Sequence, residues 1–162
     1  MSNSNQKYSV DITVSSDQLS RFIPYVQRAI CVALREEEVP EGHSVSILLT
    51  DDDQIAKLHL EHMGIEGPTD VMSWPSSDFE RENFHFLGDI AVSCETAEAQ
   101  ARDQGHPVET EVSVLAVHGL LHLLGWDDQT PQEREEMQKR VDYIVSKALS
   151  TFTNSDNLSS ST

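Results

Sequence analysis

The stretch from Val108 to Leu124 constrains the fold more than any other part of the chain, because it is apolar nearly all the way round. Pro107 and Glu109 suit the first turn of a helix, and Gly125 suits a helix end. A helix with no polar face is typical of the interior of a protein rather than its surface. The sequence therefore predicts a buried helix here.

Hydrophobic periodicity elsewhere predicts an alternation of strands and helices, which indicates one α+β domain. Strands are expected at 8–14, 44–49, 71–74 and 87–92. Helices are expected from Asp17 to Leu34, with Pro24 either kinking the helix or delaying its start, and at 50–63 and 94–104. The capping box Thr130–Glu133 starts a last helix. We expect a polar loop at 76–83.

The length of 162 residues is that of one domain, which we place at residues 1–150. The segment 151–162 is rich in Ser, Thr and Asn, a composition typical of a disordered tail. No internal repeat or linker divides the sequence. We therefore expect a single functional unit followed by a short C-terminal tail.

Acidic residues outnumber basic ones 28 to 11, which gives a formal net charge of −17. This excludes attachment to nucleic acid or to an anionic membrane through a broad basic surface, which requires clustered Lys and Arg. The charge does not exclude a small local binding site for a phosphate. Arg21, Arg28 and Arg35 recur every seven residues on one face of the first helix, where a solvated face is a plainer interpretation than a track for RNA.

Nothing in the sequence directs the chain to a membrane. Residues 1–5 are polar and lack the apolar core of a signal peptide, and no apolar run approaches the roughly 18 residues of a spanning helix. Cys31 and Cys94 are too few for a disulfide framework and lack metal-type spacing. We expect a cytoplasmic protein with reduced thiols and no membrane partner.

Two histidines four residues apart, His118 and His122, project from one face of the buried helix. Gly125 ends the helix three residues later and lets the chain turn back, so Asp128 can approach the same ion, with Asp127 as its competitor. Two imidazoles and one carboxylate leave a coordination position open for water, as in catalytic rather than structural zinc sites. The pattern predicts a metal site.

A hydrogen-bonded core histidine is the plainer interpretation of a single buried imidazole, and we adopt it for His59 and His62. It explains a buried pair less well, because burying two imidazoles is costly unless each finds a partner, and a shared cation supplies one. Zinc peptidases with a His-Glu-x-x-His helix use the glutamate as general base. Gly119 stands there in this chain, which weakens the peptidase interpretation and indicates close packing or space near the ion.

Three segments resemble the YbeY family of zinc-dependent, single-strand-specific endoribonucleases that act in ribosomal RNA maturation. Residues 118–128, HGLLHLLGWDD, are similar to the family's HGxLHLxGYDH-like string. Residues 68–75, PTDVMSWP, resemble its PTDVLSFP, and residues 87–90 match its LGDI. The segments occur in the family's order with family-like spacing, and the resemblance covers most of the chain.

The resemblance implies a small mixed β-sheet packed with about five helices, distantly like the metzincin peptidases. It implies one zinc ion held by His118, His122 and Asp128. The implied activity is cleavage of single-stranded RNA in 3′-end maturation of small-subunit (16S) ribosomal RNA and in ribosome quality control. Implied partners are ribosomal RNA and the small subunit or a protein associated with it. Asp70 and Asp89 are candidates for orienting the metal ligands.

The chain departs from the family pattern at two positions. Asp128 stands where the third ligand is usually histidine, and its charge makes the ion a weaker Lewis acid. Two histidines and one carboxylate also suit Fe(II), so the ligand set is compatible with a divalent metal other than zinc. Met63 stands where some members carry an arginine, so the cation for a scissile phosphate must come from elsewhere, with Arg21, Arg28 and Arg35 as candidates.

The leading hypothesis is metal-assisted hydrolysis of phosphodiesters, with Asp70 to Trp74 lining the cleft as an extended edge. Trp74 or Trp126 could stack on an unpaired base, although packing is the plainer role for both. One alternative is a non-catalytic ribosome-assembly factor whose metal braces the C-terminal helices. The other is an atypical zinc metallopeptidase with Asp127 as its base. Nucleotide-binding glycine motifs and a nucleophile elbow do not occur in the sequence.

Overall fold

A four-stranded mixed β-sheet lies at the centre of the fold. The computed structural model describes residues 7–160, with side chains for residues 7–152. The strands are β1 (Ser9–Val14), β2 (Ser44–Thr50), β3 (Val71–Pro75) and β4 (Phe86–Ser93), in the order β1-β2-β4-β3. The first three in that order are parallel, and β3 pairs antiparallel with β4 at the edge. The predicted α+β class and mixed sheet are confirmed.

Six α-helices accompany the sheet in the described part of the chain. They are α1 (Ile23–Glu36), α2 (Asp52–Met63), α3 (Asp78–Phe84), α4 (Cys94–Gln104), α5 (Val108–Leu123) and α6 (Pro131–Ser160). A short 3-10 turn, Asp17–Phe22, precedes α1. Pro24 stands in the first turn of α1, where its missing N–H costs nothing, and so delays the helix rather than kinking it.

Helix α5 lies in the interior, as its sequence predicts. Ten of its sixteen residues are buried. It contacts α1, α4 and α6 as well as strands β3 and β4. The main hydrophobic core joins α5 to the sheet face formed by Ile47, Leu49, Ile90 and Val92. The position of every residue on α5 is therefore set from several sides at once.

The opposite face of the sheet carries helix α2 and a smaller cluster of apolar side chains. Ile55 of α2 packs there against Met72 and Ala91. Across the described residues, no helix has both the length and the apolar character that crossing a bilayer requires. The two faces of the sheet therefore carry different helices: α5 packs on one face and α2 on the other.

One local expectation differs from the structure, and another stays a prediction. The predicted polar loop at 76–83 contains α3, because Ser77 and Glu80 form a reciprocal capping box that satisfies N–H groups at its start. Helix α6 continues to Ser160, and the disordered tail expected at 151–162 stays a prediction. Adding residues to an established helix is easy, and the Phe152 ring lies 4.7 Å from that of Tyr25. Residues 161–162 lie outside the described part.

Candidate metal centre

The side chains of His118, His122 and Asp128 converge at the C-terminal end of α5. The Nε2 atoms of the two histidines are 3.1 Å apart. The Oδ2 atom of Asp128 lies 3.2 Å from Nε2 of His122 and 3.6 Å from Nε2 of His118. Their potential ligand atoms all lie within 4.8 Å of one another. The three side chains therefore form a group that can hold a metal ion.

The loop after α5 brings Asp128 back to the helix. Gly125 has a φ of +102°, in the region that side chains disfavour, and reverses the chain there. The N–H of Trp126 then donates to the carbonyl of Leu121 at 3.0 Å. From α6, Nη1 of Arg134 donates at 3.1 Å to the carbonyls of Asp128 and Gln129. No sequence pattern points to Arg134, because its contact with the loop depends on where α6 packs.

Hydrogen bonding sets the state of His122. Its Nδ1 lies 3.1 Å from the carbonyl oxygen of Trp126, which can only accept, so Nδ1 carries the proton and donates. In the neutral ring Nε2 then presents a lone pair toward an imidazole nitrogen and a carboxylate oxygen. Converging lone pairs repel one another unless a cation lies between them. The donor set therefore fits a divalent ion.

Burial is the main cause that lowers the pKa of His118, and neighbouring His122 adds to it, while the charges of Asp128 and Asp70 oppose it. The lowered pKa favours the neutral imidazole, which is the form that binds a metal. The side chains of His118, His122 and Asp128 remain 27%, 30% and 37% exposed. The group is therefore open to solvent on one side, as a catalytic metal site requires.

Gly119 is directed at the sheet and not at the metal cluster. A Cβ atom there would lie 2.8 Å from Cγ2 of Ile90 and 3.3 Å from Cγ2 of Val71. The first distance is shorter than real side chains adopt, so α5 approaches the sheet more closely than any other residue type would allow. Of the two roles considered for this glycine, the structure supports close packing. A carboxylate at this position would face the core, not the cluster.

Asp70 faces the same cleft as His118. Its Oδ1 accepts from the backbone N–H of Val71 at 2.8 Å, and its Oδ2 accepts from Gln100 at 3.3 Å. These bonds hold the carboxylate between β3 and α4. Asp70 therefore acts on His118 through its charge, which raises the pKa of that imidazole and so opposes the effect of burial.

Asp89 cannot orient the metal ligands in this structure. It pairs with Trp74 across β3 and β4, while its neighbour Ile90 contacts α5. Successive residues of a strand face opposite sides of the sheet, so Asp89 lies on the α2 side. Burial raises the pKa of Asp89, and Glu80 raises it further. The expectation that placed Asp89 beside the ligands is wrong for this reason.

The other candidates from the sequence, Asp127 and the two tryptophans, lie outside the candidate metal site. Asp127 is exposed and does not belong to the metal-binding group. Trp74 stacks on His62 with the ring centroids 4.9 Å apart, and Nε1 of Trp126 donates to Glu37 at 2.8 Å. Both tryptophans therefore take part in internal packing, which was the plainer interpretation of each.

Arg21 lies far from the metal cluster. Its guanidinium is 3.9 Å from Glu109, nine residues before His118 and therefore about 14 Å away along α5. The proposal that Arg21 meets a scissile phosphate finds no support in this geometry. For Arg28 and Arg35 on α1 the same role stays a prediction. Arg134 stands closer, because it reaches from α6 to the loop that carries Asp128.

A cavity of about 720 Å³ opens beside His118. It runs along α5 between α4 and α6, and Asp70 also lines it. Its size falls within the range of small-molecule and cofactor sites. His118, one of the three candidate ligands, therefore borders this cleft.

Comparison with known proteins finds relatives that match most of the chain. The model of the family described as "Endoribonuclease YbeY" matches residues 4–149. A protein of that name from Caldanaerobacter subterraneus subsp. tengcongensis is 38% identical over 133 residues, covering 75% of this chain and 84% of the relative. The namesake from Symbiobacterium thermophilum is 35% identical over 149 residues, covering 87% and 92%. The solution structure of TM1509 from Thermotoga maritima superposes with a TM-score of 0.65 at 22% identity, covering 90% and 93%, and so shares the fold.

Proposed function

The chain belongs to the YbeY family, and we propose that it is a metal-dependent endoribonuclease that hydrolyses single-stranded RNA. One observation carries the proposal. Two imidazole nitrogens and one carboxylate oxygen meet beside a large cleft, with one side of the group open to solvent. The relatives that match most of the chain are named as endoribonucleases.

His118, His122 and Asp128 would hold the ion. A bound divalent cation supplies a Lewis acid for the phosphoryl oxygens and activates a water for attack on phosphorus. The chain's own groups arrange this chemistry. Trp126 keeps His122 in the tautomer with a free Nε2, and Arg134 secures the loop beneath Asp128. Asp70 adds negative charge beside His118, which strengthens its attraction to a cation.

Zinc is the ion that we propose. Zinc–nitrogen distances of about 2.0–2.1 Å place two ligand atoms of a tetrahedral site about 3.3 Å apart. The three distances between the donor atoms here are 3.1, 3.2 and 3.6 Å. Two histidines with one carboxylate also suit Fe(II), so the elemental content of the protein belongs to the test.

The RNA strand would pass the outer edge of the sheet. Strand β3 is an edge strand that contacts α5, so residues 71–75 border the region of the metal cluster. An extended strand with one unpaired edge can line a groove for an extended ligand. This supports the interpretation of Asp70 to Trp74 as a wall of the cleft.

The biological substrate that we propose is the 3′ end of small-subunit ribosomal RNA, on the strength of the family resemblance. The net charge of −17 repels free RNA at long range. We therefore propose that the small subunit, or a protein associated with it, brings the enzyme to the RNA. Both cysteines are free thiols, in keeping with the reducing cytoplasm as the site of action.

Purified protein tests the proposal directly. Its metal content is measured by elemental analysis, and its cleavage of a labelled single-stranded RNA is compared with that of His118→Ala and of His43→Ala. His43 is a matched control because its Nδ1 bonds to the carbonyl of Pro40, far from α5 in sequence. We expect bound zinc and cleavage in the wild type and in His43→Ala, and neither in His118→Ala. Cleavage that survives both a chelator and His118→Ala would contradict the proposal.

The two alternatives are less favoured. A metallopeptidase lacks a base at position 119, where the chain faces Ile90, and Asp127 lies outside the ligand group. Casein should therefore stay intact under conditions that cleave RNA. A purely structural metal would leave no RNA turnover, and His122→Ala would then lower only the thermal stability.

A further inference from the structure

The cavity beside His118 extends well beyond the metal cluster. Glu111, Leu115 and His118 line it from one face of α5, with spacings of four and three residues. The seven residue steps from Glu111 to His118 span about 10 Å of helix. The cleft therefore reaches away from the metal cluster, and its volume of about 720 Å³ can take one small molecule.

The walls of this cavity suit a neutral, polar group. Gln100 and Gln104 enter from α4, and Gln138 and Asp142 enter from α6. None of the described residues that line it is a Lys or an Arg. A phosphate would meet the carboxylates of the wall without a compensating cation. An uncharged base with hydrogen-bonding edges meets donors and acceptors instead.

One wall is fixed by a close polar contact between Glu111 and His106. The side chain of Glu111 is only 5% exposed, and its Oε1 lies 2.7 Å from Nε2 of His106. Apolar atoms of Val114 and Leu115 complete this part of the lining. The cavity thus combines an apolar surface for a ring with polar groups placed around it, which is the usual composition of a ligand site.

Asp142 and Gln138 give the cavity a specific pattern of hydrogen-bonding groups. They stand four residues apart on α6, and Nε2 of Gln138 donates to Oδ1 of Asp142 at 2.9 Å. Within the described residues, the second N–H of Gln138, the second lone pair of Oδ1 and the Oδ2 atom of Asp142 are left for a ligand. A ligand that complements this pair carries two neighbouring donors, which face the carboxylate, and an acceptor beside them, which faces the amide N–H. Guanine presents that set on its Watson–Crick edge as N1–H, N2–H and O6, whereas the other three bases do not.

We propose that this cavity is a subsite for an unpaired guanine adjacent to the scissile phosphate, read by Asp142 and Gln138. The proposal rests on the proposed function, because a metal ion held in part by His118 in the cavity wall would fix where the phosphate lies. Asp142 is then a specificity-determining residue that contacts substrate without taking part in the chemistry.

The test compares cleavage of single-stranded RNAs that are identical except for G, A, C or U at one position beside the cleaved bond. Asp142→Asn replaces an acceptor by a donor of the same shape. Glu136→Gln is the matched control, because Glu136 likewise accepts from a glutamine four residues earlier, Gln132, at 3.2 Å but does not line the cavity. We expect the wild type and Glu136→Gln to favour guanine, and Asp142→Asn to lose that preference by about tenfold or more.

Equal cleavage of the four RNAs by the wild type, or an unchanged guanine preference in Asp142→Asn, would overturn the subsite. A second measurement separates this outcome from failure of the nuclease. Binding of guanosine, adenosine, cytidine and uridine to the full chain is followed by ligand-observed NMR, which needs neither metal nor turnover. If no RNA is cleaved, selective binding of guanosine that Asp142→Asn abolishes still supports the subsite, and equal or absent binding refutes it.

Discussion

Replacing Gly119 by alanine should destabilise the protein, although alanine normally favours a helix. The change by itself improves helix propensity by about 0.5–1 kcal/mol. Against this, the new Cβ would lie 2.8 Å from Cγ2 of Ile90 and 3.3 Å from Cγ2 of Val71, both on β-branched side chains with little freedom to move. Overpacking of this kind costs about 1–3 kcal/mol. We expect a net loss of roughly 0.5–2 kcal/mol.

Thermal denaturation measures this loss as a fall in Tm of roughly 1–8 °C for a domain of this size. The control is a double-mutant cycle with Ile90→Ala, which removes the methyl group that the new Cβ would strike. In the Ile90→Ala background, Gly119→Ala should become neutral or stabilising. A Gly119→Ala protein as stable as the wild type would refute the close approach of α5 to the sheet.

Three further predictions concern single sites. Asp128→Ala should weaken zinc binding by more than the roughly 10–100-fold cost of losing a supporting partner, as measured by chelator competition, whereas Asp127→Ala should leave it unchanged; equal effects would exclude Asp128 as the ligand. Burial raises the pKa of the Cys94 thiol to about 12, so almost no thiolate is present at pH 8. Iodoacetamide at pH 8 should therefore spare native Cys94, as measured by mass spectrometry, yet modify it after unfolding. Early alkylation in the folded protein would contradict that burial. Ser77→Ala should lose about 1 kcal/mol of local stability and speed hydrogen exchange in α3; unchanged exchange would show that the cap is dispensable.

The convergence of His118, His122 and Asp128 was predictable because the three residues lie close together in the sequence. Helical spacing places His118 and His122 on one face, and Gly125 supplies the reversal that returns Asp128. Each of these steps depends on local backbone geometry. The predicted start of α2 near residue 50 was likewise local, since the Asp51 side chain accepts from the N–H of Gln54 and caps the helix.

Local signals were also present where the prediction was wrong. The Ser77 and Glu80 pair was a readable capping box, but the polar character of residues 76–83 favoured a loop. Composition alone therefore missed a helix whose start is fixed by two side chains.

The sequence by itself determined the buried helix, its paired imidazoles, the glycine stop and the acid beyond it, because helix periodicity and turn chemistry act over a few residues. Only the tertiary structure decided that Asp89 lies on the other side of the sheet, since alternation along a strand separates two faces without telling which one meets α5. The cleft is likewise tertiary. Its walls come from α4, α5 and α6, and only their packing brings Gln100 and Asp142 within reach of one ligand.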